Sequence, residues 1–336
     1  MSRRRRAHRP AGVSVVLDQR QYARQDRPRV DILERTVNEK VGMLDIKGIS
    51  KRYGSKPVLT DVSFTVGNGR LTGFVGANGA GKTTTMRIIL GVLTPDTGTV
   101  LIDGVAVTNS DRRRFGYMPE ERGLYPKMKV GEQLVYLARL HGLSTASARA
   151  NTRSLLEQLG LAERAGDLVQ ALSLGNQQRA QIAAALVHDP EFLVLDEPFS
   201  GLDPLAVEAV TTVLTDYAAT GAPVLFSSHQ LDIVERLCDD LVIIADGQIR
   251  ANGSREALRE QFSSPVFEIR LPGDSVWIGT VPGITLVERE AGFAIFHAET
   301  DAASQLVLRH ALERGPVESF SQQSPSLASI FKEVVQ

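Results

Sequence analysis

The run Gly76-Ala77-Asn78-Gly79-Ala80-Gly81-Lys82-Thr83 sets glycines, a lysine and a hydroxyl in the G-x-x-x-x-G-K-[ST] spacing of a phosphate-binding loop. Glycines let backbone N–H groups curl around phosphate oxygens, and the N-terminus of a following helix adds the positive end of its dipole. In such a loop the lysine reaches the β- and γ-phosphates and the hydroxyl faces Mg²⁺. Gly76, Asn78, Gly79, Ala80, Gly81, Lys82, Thr83 and Thr84 are therefore the expected contacts to a nucleoside triphosphate. The loop by itself does not separate GTPases, kinases and transport motors.

A second set of groups narrows the chemistry. Phe192-Leu193-Val194-Leu195 runs straight into Asp196-Glu197, and carboxylates at the carboxyl end of a buried strand stand where α/β sheets hold ligands. Asp196 is placed to hold Mg²⁺ and Glu197 to polarise an attacking water. His229 follows another apolar run, Val224–Phe226, and two serines, so a contact to the γ-phosphate is expected of it. Tyr53, upstream in Lys51-Arg52-Tyr53-Gly54, offers an aromatic face for a base; core packing is its competing reading.

The elements that must position these groups alternate along the chain. Leu44–Ile46 and Val62–Val66 read as strands, with Gly67-Asn68-Gly69 as the turn to the apolar strand Leu71–Val75. Lys82–Leu90 reads as the helix after the loop. Residues 131–188 switch to helical periodicity, with Leu134, Leu137, Ala138 and Leu140 and then Leu155, Leu156 and Leu159. Phe192–Leu195, Val224–Phe226 and Leu241–Ile244 are short continuous apolar runs, as parallel strands buried on both faces require. An α/β sheet with a helical lobe of its own is expected. Beyond residue 254 the pattern becomes a small α+β appendage. Its expected strands are Val266–Leu271, Thr285–Arg289 and Phe293–His297, with a helix over Ala303–Arg314 and a last one, capped by Ser324-Pro325, through Val335.

Composition bounds the class. The 336 residues are 43% hydrophobic and 23% charged, an ordinary globular balance, and no apolar run approaches the length of a membrane span. The single cysteine, Cys238, has no internal disulfide partner, which fits a reducing compartment. The net charge of -1 hides a basic leader: residues 1–42 carry eleven Arg/Lys against five Asp/Glu, a net +6. No sustained apolar stretch follows its arginines, so it is not a secretory signal. A basic tail for anionic lipid or nucleic acid is one reading of it. A disordered or artefactual leader ahead of a natural start at Met43 is the other, and the one expected here.

The order of these motifs over roughly residues 43–250 resembles the nucleotide-binding domain of ABC transporters. Leu172-Ser173-Leu174-Gly175-Asn176-Gln177-Gln178-Arg179 resembles the family signature, and Ser200-Gly201-Leu202-Asp203 its D-loop. The resemblance implies a P-loop ATPase core with a helical subdomain, ATP and Mg²⁺ as cofactors, and active ATP hydrolysis. It makes Tyr53 the adenine-stacking aromatic, His229 the switch histidine, and Ser173 and Gly175 donors to a γ-phosphate held by another subunit. A head-to-tail homodimer, or a pair with another ABC ATPase, follows from that. Two departures stand out: Leu174 and Asn176 replace the usual Gly and Gln, and the Q-loop glutamine is represented by Glu120, to which a metal-side role is carried over. The run Pro119-Glu120-Glu121-Arg122-Gly123-Leu124-Tyr125 and the end Ser324-Pro325-Ser326-Leu327 resemble the sodium-extruding subgroup of ABC-2-type exporter ATPases.

The resemblance thus implies residues 43–253 as the ATP-binding domain and 254–336 as an accessory domain. It further implies a separate transmembrane permease and a peripheral place on the cytoplasmic face of the cell membrane. The permease's coupling helix is expected in a groove formed by residues 120–130. A non-transport ABC ATPase remodelling ribosomes or nucleic acid is the alternative. One cassette, no sustained heptad run and an acidic body speak against it, so no nucleic-acid partner is expected.

Overall fold

Apolar alternation decides how the main sheet is buried. The computed structural model describes residues 42–121, 123–262, 265–323 and 326–335. The leader up to residue 41, Arg122 and the Ser324-Pro325 cap lie outside these described residues. The chain opens with β1 (Leu44–Tyr53), β2 (Lys56–Val66), β3 (Leu71–Val75), α1 (Lys82–Ile89), β4 (Thr97–Ile102), β5 (Val105–Ala106) and β6 (Phe115–Met118). A helical stretch follows: α2 (Val130–Leu140), α3 (Thr145–Gln158) and α4 (Leu174–Leu186). Then come β7 (Phe192–Leu195), α5 (Pro204–Ala218), β8 (Val224–Ser228), α6 (Leu231–Leu237), β9 (Asp240–Ala245), β10 (Gln248–Ser254) and α7 (Arg255–Gln261). The last segment holds β11 (Val266–Arg270), β12 (Ile284–Glu290), β13 (Phe293–Ala298), α8 (Asp301–Arg314), β14 (Ser319–Gln322) and α9 (Leu327–Val335).

The six-stranded sheet has the order β10-β9-β3-β8-β7-β6 and is parallel except for β10. Successive side chains on a strand point to opposite faces. Phe192 and Val194 of β7 accordingly join one core with Phe74, Val242 and Ile244, while Leu193 and Leu195 join the other with Leu71, Ile243 and Phe226. The first core is closed by α1 and by an antiparallel sheet, β2-β1-β4-β5. The second runs without a break from the sheet through α4 into α2 and α3. The helical lobe therefore shares its interior with the sheet rather than closing one of its own, because Ala180, Ile182 and Ala183 of α4 are buried within it. The β9–β10 hairpin turns at Asp246-Gly247, both with positive φ (50° and 72°), the geometry of a two-residue hairpin turn.

The final segment divides in two. A four-stranded antiparallel sheet, β12-β13-β11-β14, packs with α8 around Phe267, Ile269, Phe296 and Val307. Helix α9 instead buries Leu327 and Ile330 in the second core of the main sheet, against α6, α7 and β10. The appendage is thus tied back to the element that follows His229.

Where α2 and α4 end, His141 and His188 stack with ring centroids 3.7 Å apart, and His188 Nε2 lies 3.3 Å from the Phe115 carbonyl oxygen. Burial, with the neighbouring His141 second, pushes His188 down to about 4. The unfolded chain would bind this proton near 6.5, so its side of the balance is neutral above that value and costs stability as pH falls towards 4. The expected slope is about 1.4 kcal/mol per pH unit across this window. Urea midpoints for the wild type and His188→Gln between pH 7 and 4 check this; the variant should lose stability less steeply. Parallel curves would remove His188 as the cause.

Candidate functional site

Strand β3 lies between β8 and β9, so the loop after it emerges at the centre of the sheet's carboxyl edge. Two of its glycines are demanded by geometry. A Cβ on Gly76 would stand 2.5 Å from the Ile244 carbonyl oxygen, and Gly81 has φ 114° with Leu59 pressed 2.6 Å from where a Cβ would go. Helix α1 then starts at Lys82, and the exposed arc of Ala77, Asn78 and Gly79 leaves room for phosphate above it. The Lys82 side chain is buried. Its ammonium donates to the carbonyl oxygens of Gly76 at 2.7 Å and Ala77 at 3.3 Å, folding back on its own loop.

Strands β7 and β8 bring the acids and the histidine to the same edge. Asp196 and Glu197 are only 1% and 7% exposed. The Ser227 hydroxyl donates to Asp196 Oδ1 at 2.6 Å and accepts from the Glu197 backbone N–H at 2.8 Å. Glu197 has φ 52°, a region that costs a non-glycine residue about 1–3 kcal/mol and persists only when neighbours fix it. Both of its backbone groups are fixed: the N–H by Ser227, and the carbonyl by the Gln178 amide at 2.9 Å. Its side chain reaches His229 Nδ1 at 2.9 Å through Oε2 and Lys82 Nζ at 4.0 Å through Oε1. Lys82, Glu197 and His229, far apart in sequence, form one cluster.

The remaining expected residues fall around it. Thr83 and Thr84 are half-buried in the first turn of α1. Tyr53 ends β1 opposite Lys56, and it is 53% exposed, which removes core packing as its role. The same hairpin lays Val58 and Leu59 against Gly81. Glu120 is exposed in the loop after β6, two residues past Met118, whose carbonyl accepts from the Asp196 N–H at 2.8 Å. Ser173 caps α4 and Gly175 lies in its first turn beside Gly201, with Leu174 60% exposed between them. Among the described residues no hydrogen bond or ion pair joins Ser173 or Gly175 to Gly76–Thr84. Sequence reading missed the parts of Ser227 and Gln178; a serine at a strand end and a glutamine inside the signature give no signal of the partner they meet.

Similarity to known proteins covers most of the chain. The ABC transporter family profile matches residues 59–200, and a second, the DrrA1-3-like C-terminal domain of ATP-binding proteins, matches residues 253–335. The ABC transporter ATP-binding protein YhaQ of Bacillus subtilis is 36% identical over 293 residues, 87% of this chain and 98% of its own. The chain belongs to the ABC transporter family, among its ATP-binding subunits. The Nod factor export ATP-binding protein I of Burkholderia orbicola is 40% identical over 69% of this chain and 78% of its own. A solved ATP-binding subunit of an ABC transporter, 36% identical, matches with a TM-score of 0.61 over 66% of this chain and 93% of its own. The ABC ATPase fold read from the motifs is therefore the fold of this chain.

The site fits Mg²⁺. Asp196 Oδ2 is buried with no hydrogen-bond partner, a free carboxylate oxygen in a place where leaving one is costly. Thr83, Asp196 and Glu120 are all oxygen donors, the chemistry Mg²⁺ requires. No three His, Cys, Asp or Glu side chains converge on a metal position among the described residues. Mg²⁺ is usually bound through one or two carboxylates with phosphate and water as its other ligands. Tyr117, below this edge, is pushed up by burial and then by the Asp196 charge.

Proposed function

We propose that this ABC subunit hydrolyses ATP with Mg²⁺ in a head-to-tail pair with a second copy, and that closure of the pair drives export through a separate membrane permease. The observation that carries this reading is the Lys82–Glu197–His229 cluster, its lysine and glutamate buried and its histidine open to solvent, at the mouth of the Gly76–Thr83 loop. On this reading Lys82 leaves its own loop carbonyls for the phosphates, and Tyr53 stacks on adenine. Glu197 accepts a proton from the attacking water, held in place by His229 and by the pinned backbone around it. Thr83, Asp196 and Glu120 hold Mg²⁺, which when bound neutralises phosphate charge. Ser173 and the Gly175 backbone complete the γ-phosphate site of the other copy. Residues 43–253 would form the nucleotide-binding domain and 254–336 the accessory one.

No helix among the described residues is long and apolar enough to cross a membrane, so a permease would be another chain. A groove of about 570 Å³ beside α2, lined by Tyr125, Pro126, Lys127, Met128 and Tyr136, suits an apolar coupling helix from it. Export rather than uptake is supported by the exporter named among its relatives and by the DrrA-like C-terminal match. Capture of the tagged chain from detergent-solubilised native membranes tests the proposal. A stoichiometric multi-span partner is the expected result; ribosomes or DNA in its place would contradict it.

A further inference from the structure

Gln181 belongs to none of the motifs above. It lies on α4 one turn beyond Gln178, so the two amides share a helix face. Gln178 donates to the carbonyl oxygens of Glu197 and Pro198 at 2.9 and 3.1 Å. Gln181, only 4% exposed, places its Nε2 3.2 Å from the Glu121 carbonyl oxygen and 3.4 Å from that of Pro119. These are the two carbonyls that flank Glu120. The Glu120 side chain itself is exposed on its loop, and the Gln181 amide is the side-chain group that grips the turn on both sides of it. Gln181 Oε1 is buried without a hydrogen-bond partner, a cost that ordinary packing would select against and that an apolar side chain of the same length would not incur.

We propose that Gln181 is a positioning residue for Glu120: its amide, fixed on the signature helix, holds the Pro119–Glu121 turn so that the carboxylate faces the metal side of the site. The proposal rests on the reading of Glu120 as a metal-side group. An exposed carboxylate on an unheld loop samples many positions, and misplacement of about 1 Å is enough to cost a hundredfold in rate. The same helix begins at Ser173, so one rigid body would carry the surface offered to the second copy, the grip on Glu197 and the grip on Glu120.

Gln181→Met keeps length and volume and removes the donor. In the nucleotide-free full chain, amide hydrogen exchange in a peptide covering Tyr117–Tyr125 should speed up while the β3 peptide is unchanged. ATPase turnover should fall about tenfold and half-saturation by Mg²⁺ rise, with ATP affinity kept, as for other residues that orient metal ligands. In a Glu120→Ala background the same substitution should change turnover by less than about twofold, since the two act in series. Unchanged exchange in the loop, or a full effect without Glu120, would overturn the proposal. Glu120→Ala alone reads out the metal assignment: wild-type Mg²⁺ dependence there would retire Glu120 while the exchange data still judge the grip. If Gln181→Met does not fold, Gln181→Asn, which retracts the amide by one methylene, carries the same expectations.

Discussion

Glu197→Gln is expected to bind ATP with near-normal affinity and lose about 10²–10⁴-fold in turnover, the range a positioned base contributes. The amide keeps the shape of the carboxylate and can still meet His229, so the buried geometry around φ 52° has no reason to change. What disappears is the capacity to take a proton from water. The surrounding groups exist to hold that one carboxylate: Ser227 and Gln178 fix its backbone, His229 one oxygen, and Lys82 stands 4.0 Å from the other. Single-turnover hydrolysis beside equilibrium nucleotide binding separates the two properties. Turnover within a few-fold of wild type would remove Glu197 as the base.

Lys82→Ala should fail earlier, at binding. The ammonium is buried and its present partners are loop carbonyls, which it can exchange for phosphate oxygens without leaving the site. A hydrogen bond to a charged group is worth about 1.5–3 kcal/mol, so ATP affinity should drop about 10- to 100-fold. Adenosine, which has no phosphate, should bind the variant and the wild type alike; Tyr53 would remain to meet the base in both. Isothermal titration with ATP and with adenosine decides it. Equal ATP affinity in both proteins would leave Lys82 with a structural role only.

The parts of this site that could be read in the sequence are those whose chemistry is contiguous. The Gly76–Thr83 spacing carries its own meaning, and Phe192–Leu195 declares a doubly buried strand because both of its faces are apolar. Cluster members from different strands were legible one by one, since each follows an apolar run that ends at the same sheet edge. In β1 only Leu44–Ile46 reads as a strand: the remaining Lys47–Tyr53 is mostly polar, and pairing with β2 and, for part of its length, β4 overrides that composition. Helix α5 is absent from the sequence reading although Asp203-Pro204 carries its start signal: Asp203 caps it and Pro204 opens the first turn. Ser227, Gln178 and Gln181 were invisible for another reason. Their work is to meet a backbone carbonyl, N–H or carboxylate about 20 to 60 positions away, and no local pattern records such a meeting. The docking of α9 on α6 is of the same kind: the helix was expected, its partner was not.

Ser173 and Gly175 head α4, where a Cβ on Gly175 would stand 3.4 Å from the Gly201 carbonyl oxygen, and on the proposed reading a second copy closes over each ATP. Sedimentation velocity of Glu197→Gln tests that most directly, because a chain that binds ATP but cannot hydrolyse it should stay closed. With Mg²⁺ and ATP the protein should sediment as a dimer that dissociates when ADP replaces ATP. A species that remains monomeric with saturating ATP, at concentrations where binding is complete, would contradict the shared site.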